Sequence, residues 1–105
     1  GRYFFLWIVM SKTKKQLKNH QLYYFASCPF CIKVRLALWW MGFELQQKDI
    51  MSSAKNKNEL LIGGGKTQVP CLRIEHEEDG VKWLYESEDI IRYLKQQSVR
   101  WHIIG

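Results

Sequence analysis

The 105-residue chain reads as a single α/β domain: a mixed four-stranded sheet flanked by helices, in the order β-α-β-α-β-β-α. Three observations carry that reading. Short β-prone apolar runs alternate with longer helical stretches, a Cys-x-x-Cys string sits where one such run meets the next helix, and Glu77-Glu78-Asp79-Gly80 supplies a hairpin turn near the end of the chain. Hydrophobic residues at 47% and aromatic residues at 14% provide for a core, and the length leaves room for one domain and no second catalytic one.

Residues 1–18 form an apolar and basic extension. Its longest apolar run, Tyr3 to Met10, has eight residues where a bilayer-spanning helix needs about 20. Ser11, Lys12, Thr13, Lys14 and Lys15 follow without a small-x-small cleavage site. The expectation is a segment packed on the domain, with an N-terminal membrane tether as the alternative if residues before Gly1 lengthen the run.

The domain proper spans residues 19–97. Leu22 to Ala26 is a short apolar run of the kind a central strand, buried on both faces, requires. Pro29 suits the first helical position, and Phe30 to Met41 has only Lys33 and Arg35 as polar residues before Gly42 stops it, so this helix is expected to be largely buried. Phe43 to Ile50 alternates loosely as a second strand. Ser52 or Ser53 can cap a helix from Ala54 to Ile62 that Gly63, Gly64 and Gly65 terminate. Val69 to Ile74 and Val81 to Glu86 are the hairpin strands, with Pro70 at the start of the first. Ser87 is expected to cap a last helix whose first turn carries Glu88 and Asp89 and whose stripe is Ile90, Ile91 and Leu94. Residues 98–105 are left as a tail.

Sixteen Lys and Arg against ten Asp and Glu give a net charge of +6, but the basic residues are spread along the chain and no nucleic-acid partner is expected. Three cysteines are too few for a disulfide framework and odd in number, which points to a reducing, cytoplasmic setting.

In Cys28-Pro29-Phe30-Cys31 the first cysteine falls at a helix N-cap, where unpaired N–H groups and the positive end of the helix dipole stabilise a thiolate. Cys28 is therefore the expected nucleophile. Cys31, one turn later and deeper, is the expected resolving thiol. Lys33 and Arg35 either add positive potential there or form the solvated edge of the helix. A zinc site would need Cys71, His20 or His76 beside the pair, and one Cys-x-x-Cys supplies only two ligands, so no metal is expected.

From about Gln21 to Gln97 the chain resembles a glutaredoxin, in the thioredoxin superfamily. The motifs are Cys28-Pro29-Phe30-Cys31 after a strand, Gln68-Val69-Pro70 opening a later one, and Leu84 to Leu94 running from strand into helix. Glu86-Ser87 resembles the glutathione-binding edge of glutathione S-transferase N-terminal domains, which share that fold. The resemblance implies a thioredoxin-like fold and a glutathione-dependent thiol-disulfide oxidoreductase acting on glutathione mixed disulfides and protein disulfides, with glutathione as co-substrate. It implies a cis Pro70 and, at Val69, backbone groups offered to the cysteine of glutathione. Ser87 would bind the γ-glutamyl carboxylate, and Glu86, Glu88 or Asp89 its ammonium. Lys66 or Gln68 would take the glycine carboxylate, and Phe30 stands where these proteins more often carry Tyr. The Lys found two residues before the first cysteine in many glutaredoxins is missing, since Ala26 and Ser27 occupy that stretch. Cys71, outside the dithiol pair, is read as a buried strand residue. Two other functions follow from the same resemblance: a module in which two chains and two glutathiones hold a [2Fe–2S] cluster through Cys28, and a glutathione-conjugating relative, which would need a helical domain to complete its electrophile pocket.

Overall fold

The computed structural model describes residues 15–104. Its elements follow the expected order: β1 (Lys15–Tyr24), α1 (Pro29–Met41), β2 (Phe43–Asp49), α2 (Ala54–Gly64), β3 (Cys71–His76), β4 (Gly80–Tyr85) and α3 (Ser87–Ile104). The sheet runs β2-β1-β3-β4, with β1 and β2 parallel and both other pairs antiparallel. A parallel pair needs a crossover and α1 provides it, while the Glu77–Gly80 turn closes the antiparallel hairpin. This is the thioredoxin-like α/β fold.

The two-residue period of the strands divides the core. Leu22 of β1 and Leu72 and Ile74 of β3 face α1 and α3, where they pack with Val34, Leu38, Ile90 and Leu94. Tyr23 and Cys71 point to the other face, where Ile50 and Leu60 cover them, with Trp83 and Tyr85 alongside. Each fully buried Leu or Ile contributes about 1.5–3 kcal/mol, so β1 and β3, buried on both faces, anchor the fold.

Local chemistry sets the helix ends. Gly42 adopts φ 75° and returns its N–H to Leu38 and Trp39, a left-handed cap that a residue with a Cβ resists. Ser53 Oγ accepts the N–H of Asn56 at 3.3 Å to open α2. That helix runs through Gly63 and Gly64 to Gly65. A Cβ at Gly63 would collide with the Trp83 indole and one at Gly64 with the Tyr85 hydroxyl, so the bare backbone is what lets α2 lie against β4.

Four expectations are corrected. β1 begins at Lys15, within the segment read as an extension, because its first half is an irregular strand: the register with β2 shifts between Gln16 and Gln21, and Asn19 has φ 66°. The helix α1 is not largely buried; Cys31, Val34 and Leu38 are its buried positions, and Ile32, Leu36, Trp39 and Trp40 are exposed. The last helix does not stop before a tail but continues to Ile104. Ser87 is not its cap: the carbonyl of Glu86 accepts the N–H of Ile90 at 3.0 Å, which makes Glu86 the cap and places Ser87 in the first turn. The apolar run Tyr3 to Met10 and the tether expected of it lie outside the described residues.

Candidate functional site

Register brings the sequence motifs to one rim of the sheet. Tyr23 near the end of β1 pairs with Cys71 at the start of β3, and Cys71 pairs with Tyr85 at the end of β4. The segments attached to those three ends are Phe25 to Cys28, Gln68 to Pro70, and Glu86 with Ser87. All three motifs therefore emerge side by side although up to 59 positions separate them in the chain.

Cys28 is the N-cap of α1, with extended φ and ψ of −76° and 120°. Its N–H closes a turn onto the carbonyl of Phe25 at 3.2 Å, and its own carbonyl accepts the N–H of Ile32. Its sulfur accepts the N–H of Cys31 at 3.4 Å, so a helix-terminal donor points at the atom expected to react. Cys28 retains 6% of its surface and Cys31 none, which places the second thiol deeper, as the sequence indicated. Burial pushes the Cys31 thiol up to about 12, and the adjacent Cys28 sulfur adds to that rise. Phe30 between them is 61% exposed, an aromatic face beside the cysteine mouth. Both cysteines are free.

Across the rim, the Val69–Pro70 peptide is cis, as the resemblance implied. Pro70 is buried and Val69 half-buried, just ahead of the ladder that begins at Cys71. Gln68 donates its amide to Glu86 Oε1 at 3.2 Å, joining the second motif to the third. Lys66 lies with its ammonium 4.4 Å from the centre of the Tyr85 ring, while its carbonyl accepts the Tyr85 hydroxyl at 3.1 Å. Ser87 is buried at the helix start, and Glu86 before it has φ 71°, a left-handed backbone unusual for a residue with a side chain.

The charged candidates separate on inspection of their partners. Glu88 forms an ion pair with Lys33, which depresses its carboxyl, and Asp89 faces Arg92 at 3.5 Å. Among the described residues, Glu86 is then the carboxylate of this rim without a cationic partner. Lys33 is thus engaged with α3, and Arg35 stacks 4.4 Å over the Tyr24 ring and donates to Gln47. Cys71 is fully buried, and burial pushes its thiol up to about 12. Neither the left-handed Glu86 nor the Lys33–Glu88 pair was read from the sequence; a backbone angle leaves no residue-type signal unless the residue is glycine, and partners 55 positions apart meet only through the fold.

A groove of about 970 Å³ lies elsewhere, between α2 and the sheet against Tyr23, Lys48, Arg73 and Trp83. Two of its cations are matched within it, Lys48 by Glu59 at 2.7 Å and Arg73 by Glu75 at 3.6 Å, and Lys55 lines it as well. Neither cysteine of the Cys-x-x-Cys string lines it. No group of three or more His, Cys, Asp or Glu among the described residues is placed to share a metal ion.

Comparison with known proteins gives the wider context. A thioredoxin-like protein superposes with a TM-score of 0.58 at 22% identity, over 75% of this chain and 97% of its own. A maleylacetoacetate isomerase from Anaeromyxobacter dehalogenans, solved with dicarboxyethyl glutathione and citrate in its active site, gives 0.56 at 25% identity over 76% of this chain. A glutathione transferase homologue from Sulfitobacter with bound glutathione gives 0.61 at 17% identity over 80%. The chain spans 37% and 39% of the length of those last two proteins. No curated protein matches it in sequence. The model of the glutathione S-transferase N-terminal domain matches residues 27–97, more than half of the chain and the whole stretch from the turn before Cys28 into α3; the chain belongs to that family.

Proposed function

We propose that this domain is a glutathione-dependent thiol-disulfide oxidoreductase of glutaredoxin type. The observation that carries the reading is the position of Cys28: an N-cap sulfur receiving the Cys31 N–H, on the same rim as Val69–Pro70 and Glu86–Ser87. Family membership and the glutathione-bound relatives support glutathione as the ligand. Its cysteine would lie along the Val69 backbone, its γ-glutamyl carboxylate at the Ser87 end of α3 and its ammonium at Glu86. Gln68 or Lys66 would receive the glycine carboxylate, and Phe30 would close the mouth. Three free thiols fit a reducing compartment such as the cytoplasm.

In the reaction, the Cys28 thiolate attacks the glutathione sulfur of a mixed disulfide. A Cys28–glutathione bond forms, the substrate sulfur leaves as thiolate and takes a proton from water. A second glutathione thiolate attacks the glutathione sulfur bound to Cys28, releasing oxidised glutathione and restoring Cys28. With a protein disulfide, Cys28 attacks one sulfur and releases the other as thiolate, and Cys31 then displaces the protein from Cys28 by closing the Cys28–Cys31 bond, its proton passing to the departing thiolate; two glutathiones reduce that bond and leave as oxidised glutathione. Incubation with oxidised glutathione followed by peptide mass spectrometry tests the assignment: one adduct on Cys28 in the Cys31→Ser protein is expected, and an adduct on Cys71 or none contradicts it.

Membership of the transferase family favours one second reading, addition of the glutathione thiol to an electrophile. Conjugation of an activated aryl chloride by the Cys28→Ser protein at the wild-type rate would favour it over disulfide exchange.

A further inference from the structure

The outward side of α1 is apolar where a soluble helix is ordinarily polar. Ile32, Leu36, Trp39 and Trp40 are 42%, 59%, 73% and 82% exposed, and their spacing of four, three and one residues puts them on one stripe about 100° wide. The helix buries its opposite side through Cys31, Val34 and Leu38, so the stripe is surplus to the core. Beside it Leu36, Trp40 and Met41 continue into a shallow groove of about 430 Å³ that Ile91, Lys95 and the Glu88-paired Lys33 also line. No carboxylate lines that groove.

Charge is distributed to match. All ten acidic residues lie at or beyond Glu44, while residues 1–43 hold seven Lys and Arg, so the whole net charge of +6 comes from the part of the chain containing α1 and what precedes it. The described chain begins at the C-terminal end of α1: the Lys15 N–H donates to the Gly42 carbonyl at 2.8 Å and its ammonium to the Met41 carbonyl at 3.3 Å. Immediately before Lys15 the sequence holds Lys12 and Lys14, and before them the apolar run Tyr3 to Met10 with its own Trp7. Indole rings favour the boundary between lipid headgroups and acyl chains, and clustered lysines favour anionic headgroups.

We propose that the Ile32–Leu36–Trp39–Trp40 stripe is a docking surface for an anionic lipid bilayer, entered by the two indoles, with Lys15 at the end of α1 beside it. Cys28 lies at the other end of the same helix, twelve residues away at 1.5 Å each, or about 18 Å, so the docked domain holds its thiol rim beside the membrane and open to water. The proposal is independent of the reaction assigned to Cys28.

Co-sedimentation of the full chain with vesicles tests it, using phosphatidylcholine alone and phosphatidylcholine mixed with phosphatidylglycerol. The wild type is expected to bind the mixed vesicles, more weakly at high salt, and the Trp39→Ser/Trp40→Ser double variant to bind them at least tenfold less. Leu36→Glu, which keeps both indoles and adds a negative charge to the stripe, is expected to show a comparable loss; circular dichroism checks that both variants are folded. Three results would overturn the proposal: no binding by the wild type, binding by the folded variants at wild-type strength, which assigns the membrane contact to residues 1–14 alone, or a wild-type dimer that the variants dissociate without any vesicle binding, which makes the stripe a contact between two copies.

Discussion

Glu86 and Ile90 define the start of α3: the Glu86 carbonyl accepts the Ile90 N–H at 3.0 Å while Glu86 itself sits at φ 71°. A left-handed backbone costs a residue with a Cβ roughly 1–2 kcal/mol, and glycine almost nothing. The Glu86 side chain is exposed and its contact with Gln68 is a surface hydrogen bond, so neither offsets that cost. The strain is kept at a residue whose carboxylate has a proposed ligand.

Substitution at Glu86 therefore separates stability from binding. Glu86→Ala keeps the strain and removes the carboxylate; Glu86→Gly removes both. The glycine variant should be more stable than the alanine variant by about 1 kcal/mol in urea unfolding, and both should raise the KM for a glutathione mixed disulfide. Equal stabilities would show that the left-handed cap carries no strain, and an unchanged KM would remove Glu86 from the site.

At the other side of the sheet, Gly63→Ala should destabilise the domain. Its Cβ would meet the rigid Trp83 indole, so the ring would have to leave its packing against Tyr23, where the ring centres lie 5.7 Å apart. Overpacking of this kind costs about 1–3 kcal/mol, a fall in Tm of at least about 4 °C for a domain of this size. Thermal unfolding at neutral pH measures it. A rise in Tm, as expected where only helix propensity matters, would contradict the packing described for α2 and β4.

The buried thiols make the fold sensitive to alkali. Burial raises Cys31 and Cys71 from 9.0 to about 12 and Tyr85 from 10.0 to about 12. Between about pH 9 and 12 the unfolded chain releases these protons and the folded chain retains them, so the unfolded state binds fewer protons and stability falls as pH rises. Stability should be level from pH 7 to 8 and decline above pH 9, and Cys71→Val should make the decline shallower. A stability curve flat to pH 11 would contradict the burial of these groups.

The same burial orders the cysteines by reactivity. Iodoacetamide at pH 7.5 should alkylate Cys28 first and leave Cys31 and Cys71 unmodified in the folded protein, with all three labelled after denaturation. Peptide mass spectrometry over a time course reads the order. Labelling of Cys71 as fast as Cys28 would contradict the core position of β3.

Residues with strong local chemistry announced themselves in the sequence. Pro29 and Gly42 bracket α1, Ser53, one of the two serines the sequence offered, caps α2, and the Glu77–Gly80 turn closes the hairpin, because each acts within a few residues of itself. The first half of β1 was hidden: Lys15 to Gln21 is mostly polar, with Leu17 its only buried position, so it lacks the alternation that marks a strand. The apolar length of α1 was misread for a related reason. Composition counts Trp39 and Trp40 as core, and only the fold shows that Val34 and Leu38 already fill the space against the sheet. The site was legible as three motifs, and its pairing pattern, Lys33 with Glu88 and Gln68 with Glu86, depends on contacts made between elements.

In the proposed reaction Cys28 carries the chemistry and Cys31 only resolves. The most direct test of these roles is the rate of reduction of a small glutathione mixed disulfide, coupled to glutathione reductase and NADPH, for the wild type, Cys28→Ser and Cys31→Ser. Cys28→Ser is expected to lose at least a hundredfold while Cys31→Ser keeps most of the rate with this substrate and loses it with a protein disulfide. Equal loss in both variants, or no activity in the wild type, would contradict them.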